Sequence, residues 1–355
     1  MIANAILTAC TAVALTITYS LYRRMFFKKK WDPRGKHCYV TGGSAGAGLA
    51  IAKLLVRKGA HVSIVARNQE RLDTALKELE TVRQSPDQTI KAYSYSIDNA
   101  SGAAEALEAA CQAHDGRCPD AQFFVAGTSR PGHFVEQSEE SLKKGMEETY
   151  WCQAWSALAA VRRMVRDQAK GKIVFVSSVL GYMSIVGYST YSPGKFATRG
   201  LAETLQSELM LYDIDVHIAF PGTIYSPGYE VENQTKPKVT LKIEESDGGA
   251  QPDAVAQGIL KGVQNGDFHI TYDFLLNVFR GSTRGSSPGN NFFMDSIYEL
   301  IGRVSTDSSQ VTILFIEVDD MFQIALPFWR MSVDNTVRAH SEEHRQYLRD
   351  KGLIA

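Results

Sequence analysis

Apolar and polar positions alternate along the middle of the chain in two regular ways. Runs of roughly four to eight apolar residues predict strands, and longer stretches with apolar residues every three or four positions predict helices. Strands separated by helices of this length predict an α/β fold in which a doubly wound parallel sheet is covered by helices on both faces. The predicted strands are His37–Thr41, His61–Ala66, Ile90–Ile97, Ala121–Ala126, Lys172–Ser177 and Ile214–Phe220. The first predicted helix ends near Lys58, and the others cover Glu70–Arg83, Ala103–Ala113, Glu139–Ala169 and Tyr191–Tyr212.

The periodic pattern weakens at two places in the second half of the chain. Pro221–Gly249 is rich in Pro, Gly, Thr, Lys and Glu, which predicts a long mobile loop, and a loop of this length is typical of a lid. Gly281–Asn291 is typical of a linker, and two short apolar runs follow it, at Val311–Ile316 and Met321–Trp329. Both runs are too short to span a bilayer, and the second fits either an interfacial helix or a segment packed on the core. We therefore predict a main domain at residues 35–280 and a C-terminal extension at residues 281–355.

The N-terminus differs in character from the rest of the chain. Residues 1–22 carry no charged side chain, and Arg23, Arg24 and Lys28–Lys30 follow them. As a helix this run would span about 33 Å, enough to cross the apolar core of a bilayer. Because the basic residues follow the run, the positive-inside rule leaves the rest of the chain in the cytoplasm. We predict a membrane anchor at residues 1–22; a cleaved signal peptide and a helix packed on the protein are the alternatives.

Composition narrows the class of protein. The 355 residues are 44% hydrophobic and 22% charged, which is typical of a globular protein with a substantial core. A net charge of -1 argues against a nucleic-acid-binding protein, which normally carries a basic excess. The five cysteines are scattered and include no C-x-x-C pair, so the sequence predicts a reducing compartment and neither a disulfide framework nor a metal site.

The strongest chemical signal is the spacing of Tyr191 and Lys195. Residues four apart share one face of a helix, so the phenol and the ammonium can converge. A nearby cation favours the phenolate and lowers the pKa of a tyrosine towards the range of a proton donor. The spacing also arises by chance on exposed helices, but Ser178 lies upstream at the end of a predicted strand. Tyr188 is a competing phenol with Ser192 in place of a lysine four residues later, so we predict Tyr191 as the proton donor.

A glycine-rich turn, TGGSAGAG at Thr41–Gly48, lies between the first predicted strand and the first predicted helix. Glycine lets the backbone approach a bound anion closely, and the N–H groups at a helix start favour a phosphate. Such a turn can be purely structural, but inside a βαβ unit it is typical of a Rossmann-type dinucleotide site. It predicts Gly42, Ser44, Gly46 and Gly48 as cofactor-binding residues.

The end of the second predicted strand indicates which dinucleotide binds. NAD-binding chains usually place Asp or Glu there to accept a hydrogen bond from the ribose 2′-hydroxyl. Here Arg67 stands at that point, where it can pair with a 2′-phosphate, and Ser44 can donate to the same group. We predict NADPH as the cofactor, although Arg67 can also be a solvated residue at a helix start. Asp98 follows the third strand and fits either a contact to the adenine or the N-cap of the next helix.

Over about residues 35–280 the chain resembles the short-chain dehydrogenase/reductase family. That resemblance implies reduction of a ketone, in which Tyr191 donates a proton and Ser178 hydrogen-bonds the reacting oxygen. It also implies that Tyr191 and Lys195 both take part in cofactor binding, and that Lys195 contacts the nicotinamide ribose as well as acting on Tyr191. The segments that carry it are the turn at Thr41–Gly48, the set of Ser178, Tyr191 and Lys195, and the cofactor-binding pair Pro221 and Gly222 after the sixth strand.

Within the family, three segments resemble those of the 3-ketodihydrosphingosine reductases: Thr41–Gly48, Tyr191–Leu209 and Gly222–Pro237. This implies NADPH-dependent reduction of a long-chain ketone lipid in sphingolipid biosynthesis, at the endoplasmic reticulum membrane with the catalytic domain facing the cytoplasm. A homodimer or homotetramer is also implied. The alternatives are a membrane-bound steroid or retinol dehydrogenase and a non-catalytic NADP(H)-binding scaffold. Apolar residues between Phe268 and Phe279 fit either an acyl-chain route or a last strand and buried helix.

Two departures from the family pattern concern proton transfer. The usual N-N-A-G after the fourth strand is replaced by Phe124-Val125-Ala126-Gly127, and an asparagine in the helix before the fifth strand is replaced by Thr149. In the family this asparagine steadies a water that links the lysine to solvent. We expect the Thr149 hydroxyl to hold such a water, and therefore a modified relay in an active enzyme.

Overall fold

The seven strands of the described chain form one sheet. The structure is a computed structural model and describes residues 30–245, 248–306, 341–352 and 354. The strands begin and end close to the predicted positions, although β3 and β4 are shorter than predicted. They are β1 (His37–Thr41), β2 (His61–Ala66), β3 (Ile90–Ser94), β4 (Ala121–Phe124), β5 (Gly171–Val176), β6 (Ile214–Ala219) and β7 (His269–Ile270).

Helices connect these strands and continue beyond the last one. A π-helical turn at Glu147–Trp151 joins the fourth helix to the fifth. The helices of the described chain are α1 (Gly46–Arg57), α2 (Gln69–Thr81), α3 (Ala100–Gln112), α4 (Glu139–Met146), α5 (Cys152–Arg166), α6 (Ser192–Glu208), α7 (Pro227–Asn233), α8 (Lys238–Glu244), α9 (Pro252–Asn265), α10 (Phe274–Thr283), α11 (Phe292–Thr306) and α12 (Ser341–Asp350).

The strand order is β3-β2-β1-β4-β5-β6-β7, and every pair is parallel. Because all the strands run the same way, their carboxyl ends meet at one edge of the sheet. The order reverses between β1 and β4, and a doubly wound sheet binds its ligand in the crevice at such a reversal. The predicted Rossmann-type α/β fold is confirmed.

Side chains on both faces of the sheet are buried. Val40 packs in a core with residues of α1, α2 and α9, whereas its neighbour Tyr39 packs in a second core with residues of α3, α5 and α6. Successive side chains of a strand point to opposite faces, so a strand buried on both sides has to be apolar throughout. This is why the strands are continuous apolar runs in the sequence.

The prediction of a mobile loop at Pro221–Gly249 is wrong in part, because α7 and α8 lie within it. Ser226 caps α7 by accepting a hydrogen bond from the Tyr229 N–H, and Pro227 occupies the first turn. Both residue types favour a helix start. Each helix has seven residues, too few to give a clear periodic pattern. We call residues 223–245 the lid segment.

In the described part of the chain, residues beyond position 280 still pack against neighbouring helices. Helix α10 runs through Gly281, and Arg280 donates to Asp295 of α11 at 2.7 Å. Both side chains are almost fully buried, so removing Asp295 would leave the Arg280 guanidinium without its charged partner in the described part of the chain. The predicted last strand and helix are seen as β7 and α10, although Phe274 and Leu275 are exposed.

The predicted anchor at residues 1–22 and the apolar runs at residues 311–316 and 321–329 lie outside the described residues. Within the described ranges, none of the helices combines the length and the apolar character needed to cross a membrane.

Candidate active site and cofactor cradle

The glycine-rich turn joins β1 to α1 at the reversal point of the sheet. Gly42 has a φ of +69°, and a Cβ there would lie 2.9 Å from the backbone nitrogen of Ala126. Thr41 fixes the facing segment, since its Oγ1 accepts a hydrogen bond from the Val125 N–H at 3.1 Å. A Cβ on Gly48 would lie 2.2 Å from the carbonyl oxygen of Gly42. The turn therefore has no space for side chains at either glycine.

We expect Gly48→Ala to destabilise the protein by about 1–3 kcal/mol, because the added methyl would force the turn away from α1. The midpoint of urea unfolding measures this effect. Gly200→Ala is the matched control, because Gly200 lies within α6 and a Cβ there would meet no atom within 4 Å. That control should be neutral or stabilising by about 0.5–1 kcal/mol. Equal unfolding midpoints for the two variants would contradict the steric argument.

The start of α1 fits a phosphate group. Its N-cap residue Ala45 has no side-chain acceptor, so the N–H groups of the first turn lack the N-cap hydrogen bond that a polar residue would provide there. Ser44 is partly accessible beside it, and Gly46 has a φ of +54°. A close backbone, unsatisfied donors and a helix N-terminus together suit a dinucleotide pyrophosphate.

Arg67 directly follows β2, and Asp98 lies four residues beyond the end of β3. The Arg67 side chain is exposed and makes no hydrogen bond or ion pair with the other residues that the structure describes. The exposed Asp98 accepts a hydrogen bond from the side chain of Asn99. Asn99, and not Asp98, caps α3 by accepting from the Gly102 N–H at 2.9 Å. The N-cap alternative for Asp98 is therefore wrong, because Asn99 occupies the N-cap position of α3.

Ser178, Tyr191 and Lys195 converge at the carboxyl end of β5. Ser178 follows that strand, and its Oγ accepts from the Leu180 N–H at 3.2 Å. Tyr191 immediately precedes α6 and is hydrogen-bonded to Ser178. The Lys195 Nζ lies 5.3 Å from the centre of the Tyr191 ring and donates to the carbonyl oxygen of Val176 at 3.0 Å. The structure thus places the predicted serine, tyrosine and lysine in one site.

Pro221 and Gly222 follow β6 and border the same site. The carbonyl oxygen of Pro221 accepts a hydrogen bond from the Val179 N–H at 2.8 Å. This bond ties the segment after β6 to the short turn that begins at Ser178. The position of the two residues at the carboxyl edge of the sheet fits a role in cofactor binding.

The pKa of Tyr191 differs in direction from the sequence-based expectation. Burial raises the pKa of this phenol, and the negative charge of Glu232 raises it further, while the hydrogen bond with Ser178 acts in the opposite direction. Burial also lowers the pKa of Lys195 to about 8. Both effects have one cause, since a weakly polar site disfavours the charged form of each group. Tyr191 therefore holds its proton at neutral pH.

Thr149 lies in the π-helical turn beneath α6. Its hydroxyl donates to the carbonyl oxygen of Gly145 at 2.5 Å, and the side chain is buried. A water at Thr149 would therefore have to donate a hydrogen bond to the hydroxyl and could not accept one from it. A side chain on Gly194 would overlap this hydroxyl, because a Cβ on Gly194 would lie 1.7 Å from Thr149 Oγ1. Whether Thr149 holds a relay water stays a prediction.

The segment after β4 is close to Lys195 despite its departures from the family pattern. A Cβ on Gly127 would lie 3.5 Å from the Lys195 Nζ. The backbone N–H groups of Val125 and Ala126 donate to the Thr41 hydroxyl. Phe124 is fully buried in the core. The backbone of this segment is thus held in place by Thr41, with apolar side chains where the family usually has asparagines.

A group of polar and charged residues that was not predicted from the sequence joins the lid segment to the active site. We call Tyr188, Glu232, Lys236 and Glu244 the lid cluster. The Tyr188 hydroxyl lies 2.6 Å from Glu232 Oε1 and 2.7 Å from Glu244 Oε1. Lys236 lies 3.1 Å from Glu232 and 2.6 Å from Glu244, and its side chain is 0% exposed. The i, i+4 spacing of Glu232 and Lys236 was the one sequence signal for this cluster.

Comparisons with known proteins agree with this geometry. The profile of the short chain dehydrogenase family matches residues 36–237. A 3-ketodihydrosphingosine reductase of Cryptococcus neoformans var. neoformans is 38% identical over 327 residues, which cover 92% of this chain and 91% of that protein. A 3-dehydrosphinganine reductase of Danio rerio is 34% identical over 284 residues, which cover 80% and 85% of the two chains.

A solved structure of a short-chain type dehydrogenase/reductase from Mycobacterium ulcerans has the same fold. It superimposes with a TM-score of 0.59 at 24% identity, over 66% of this chain and 84% of that one. The fold and the family imply a nicotinamide dinucleotide cofactor, which fits the cradle at α1. On the family profile and the identity to these relatives, the chain belongs to the short-chain dehydrogenase/reductase family.

Proposed function

We propose that this protein reduces the ketone of 3-ketodihydrosphingosine to dihydrosphingosine with NADPH, in sphingolipid biosynthesis. The observation that carries the proposal is the convergence of Ser178, Tyr191 and Lys195 beside a dinucleotide cradle. The proposed substrate is the one stated in the names of relatives that are 31–38% identical to this chain. Since the catalytic tyrosine and lysine are both present, a non-catalytic scaffold is disfavoured.

The chain's residues act on the oxygen of the substrate carbonyl. A bound nicotinamide dinucleotide supplies the hydride. Tyr191 donates its phenolic proton to the oxygen as negative charge develops there, and the Ser178 hydroxyl stabilises that charge by a hydrogen bond. The Lys195 ammonium lies beneath the phenol ring and favours the phenolate left after proton transfer. The raised pKa of Tyr191 keeps the acid protonated before the reaction.

The preference for NADPH depends on Arg67. Its exposed guanidinium lies at the end of β2, where an acidic residue would accept from an unmodified ribose. A guanidinium pairs with a phosphate through charge-assisted hydrogen bonds. The absence of a carboxylate from Ala66 and Arg67 supports the same preference.

We also propose that residues 1–22 anchor the enzyme in the endoplasmic reticulum membrane with its catalytic domain in the cytoplasm. The uncharged N-terminal run and the basic cluster after it support this orientation. A lipid substrate favours such a location. Protease treatment of intact microsomes should therefore cleave the catalytic domain, and protection of this domain would contradict the orientation. The proposed state of assembly is a homodimer or homotetramer.

Oxidation of NADPH by the full-length, detergent-solubilised protein tests the proposed activity. Three substrates are compared: 3-ketodihydrosphingosine, a steroid ketone and retinal. We expect turnover with the sphingoid ketone at a kcat/KM well above that for the other two. A preference for the steroid or for retinal would assign the protein to those dehydrogenases instead. Absence of turnover with all three, despite NADPH binding, would favour the scaffold.

A further inference from the structure

The lid cluster has an imbalance of charge. Two carboxylates, Glu232 and Glu244, face one ammonium, Lys236, and the fourth member, Tyr188, is a neutral phenol. Burial lowers the pKa of Lys236, but Glu244 and Glu232 outweigh that effect and raise it, so the lysine is a cation. The cluster therefore carries one net negative charge in a mostly buried position, where an unbalanced charge is costly.

The two carboxylates differ in how their oxygens are used. Glu244 makes contacts through both oxygens, since Oε1 lies 2.7 Å from the Tyr188 hydroxyl and Oε2 accepts from Lys236 at 2.6 Å. Both contacts of Glu232 use Oε1. Within the described residues, no hydrogen bond reaches Glu232 Oε2. The excess charge of the cluster is thus available on Glu232.

Glu232 is also the member of the cluster that acts on the reacting centre. Tyr188, to which it is bonded, has its ring centre 5.9 Å from that of Tyr191. The backbone N–H of Tyr191 donates to the carbonyl oxygen of Tyr188 at 3.0 Å, so the two phenols are held as one unit. The negative charge of Glu232 raises the pKa of Tyr191. One phenol ring, that of Tyr188, thus lies between Glu232 and the proton donor Tyr191.

The proposed substrate has the complementary charge at the required place. 3-Ketodihydrosphingosine carries a primary amine on the carbon next to its ketone, and such an amine is largely protonated at neutral pH. When the ketone oxygen lies at the Tyr191 hydroxyl, the ammonium has to lie within a few bonds of it. A steroid ketone or retinal has no charge at this position.

We propose that Glu232 is a specificity-determining residue that pairs with the ammonium of a 2-amino ketone while Tyr191 protonates the ketone. The proposal rests on the function proposed above and assigns a role to a residue outside the serine, tyrosine and lysine set. Tyr188 and Lys236 position the carboxylate by holding Oε1. The substrate cation then balances the excess charge of the lid cluster and draws the lid segment onto the bound ligand.

The experiment compares Glu232→Gln with Glu244→Gln in the full-length enzyme. The two glutamates share contacts to Tyr188 and Lys236, so a merely structural role predicts similar effects for both. Each variant is assayed with 3-ketodihydrosphingosine and with a ketone of equal chain length that has hydrogen in place of the amine. The measured quantity is the ratio of kcat/KM for the amino ketone to kcat/KM for the neutral ketone.

We expect Glu232→Gln to lower this ratio about 10- to 100-fold, the usual effect of losing a charge-assisted hydrogen bond. Glu244→Gln should leave the ratio close to that of the wild type, even if both kcat/KM values fall. An unchanged ratio in Glu232→Gln, or an equal fall in both variants, would overturn the proposal. If Glu232→Gln does not fold, Glu232→Asp replaces it. The aspartate keeps the negative charge, but its side chain is one methylene shorter and cannot reach the ammonium as closely. The ratio should therefore still fall.

Failure of this proposal can be told apart from failure of the proposed function. If the wild type reduces the amino ketone but does not prefer it to the neutral ketone, only the role of Glu232 is wrong. If the wild type does not reduce the amino ketone, the proposed function and the role that rests on it are both wrong.

Discussion

Replacing Tyr191 with phenylalanine is expected to lower kcat about 100- to 10,000-fold, the range found when a general acid is removed. The change deletes one oxygen atom and leaves the ring in place. The packing around Lys195 and the helix start at Ser192 should therefore persist. Ser178 would still hydrogen-bond the substrate oxygen, but water would have to supply the proton. Steady-state oxidation of NADPH with the sphingoid ketone measures the loss.

Two controls make this result specific. Tyr191→Phe should still bind NADPH, which titration of cofactor fluorescence can show, because the cradle at α1 does not depend on the phenol. Tyr188→Phe removes the neighbouring phenol, whose hydroxyl bonds Glu232 and Glu244. Wild-type turnover in Tyr191→Phe, together with a large loss in Tyr188→Phe, would transfer the role of proton donor to Tyr188.

Replacing Arg67 with alanine should lower the preference for NADPH over NADH about 10- to 100-fold. A charge-assisted hydrogen bond contributes about 1.5–3 kcal/mol, and only the cofactor with the 2′-phosphate would lose it. The expected change is therefore a rise in KM for NADPH with little change in kcat for either cofactor. The ratio of kcat/KM for the two cofactors, measured at one ionic strength, gives the effect.

Because Arg67 is exposed, we expect the Arg67→Ala substitution to change cofactor binding without changing the stability of the fold. Since its side chain has no partner in the described part of the chain, the unfolding midpoint should stay unchanged. Arg162→Ala is the matched control, because Arg162 is an exposed arginine on α5, away from the end of β2. An equal change in cofactor preference for both variants would indicate a general electrostatic effect and would remove the specific role of Arg67.

Much of the fold could be predicted because it depends on local patterns. Strands β1 and β2 begin and end where their apolar runs do, since buried parallel strands are apolar throughout. The glycine turn and the spacing of Tyr191 and Lys195 are also local, and the fold brings them together at the carboxyl edge of the sheet. Ser178 lies two residues beyond the end of β5, so its place at the site followed from the strand prediction.

The features that were missed depend on contacts between distant residues. Tyr188 lies more than 40 residues before the two glutamates that it bonds, and no periodicity marks such a pair. The burial of Lys236 could not be predicted from the composition of Pro221–Gly249, because a lysine is rarely buried unless carboxylates surround it. The rise in the pKa of Tyr191 could not be predicted from the sequence either, since burial is a property of the assembled site.

The close packing of Thr149 against Gly194 has a consequence for how this family branch evolves. A side chain at position 194 would overlap the Thr149 hydroxyl, so the two positions cannot change independently. Any gain of volume at one position has to be accompanied by a loss at the other, or α6 would move and carry Lys195 with it. Among natural relatives, residues at 149 and 194 should therefore covary, and chains with a larger residue at 149 should all retain glycine at 194.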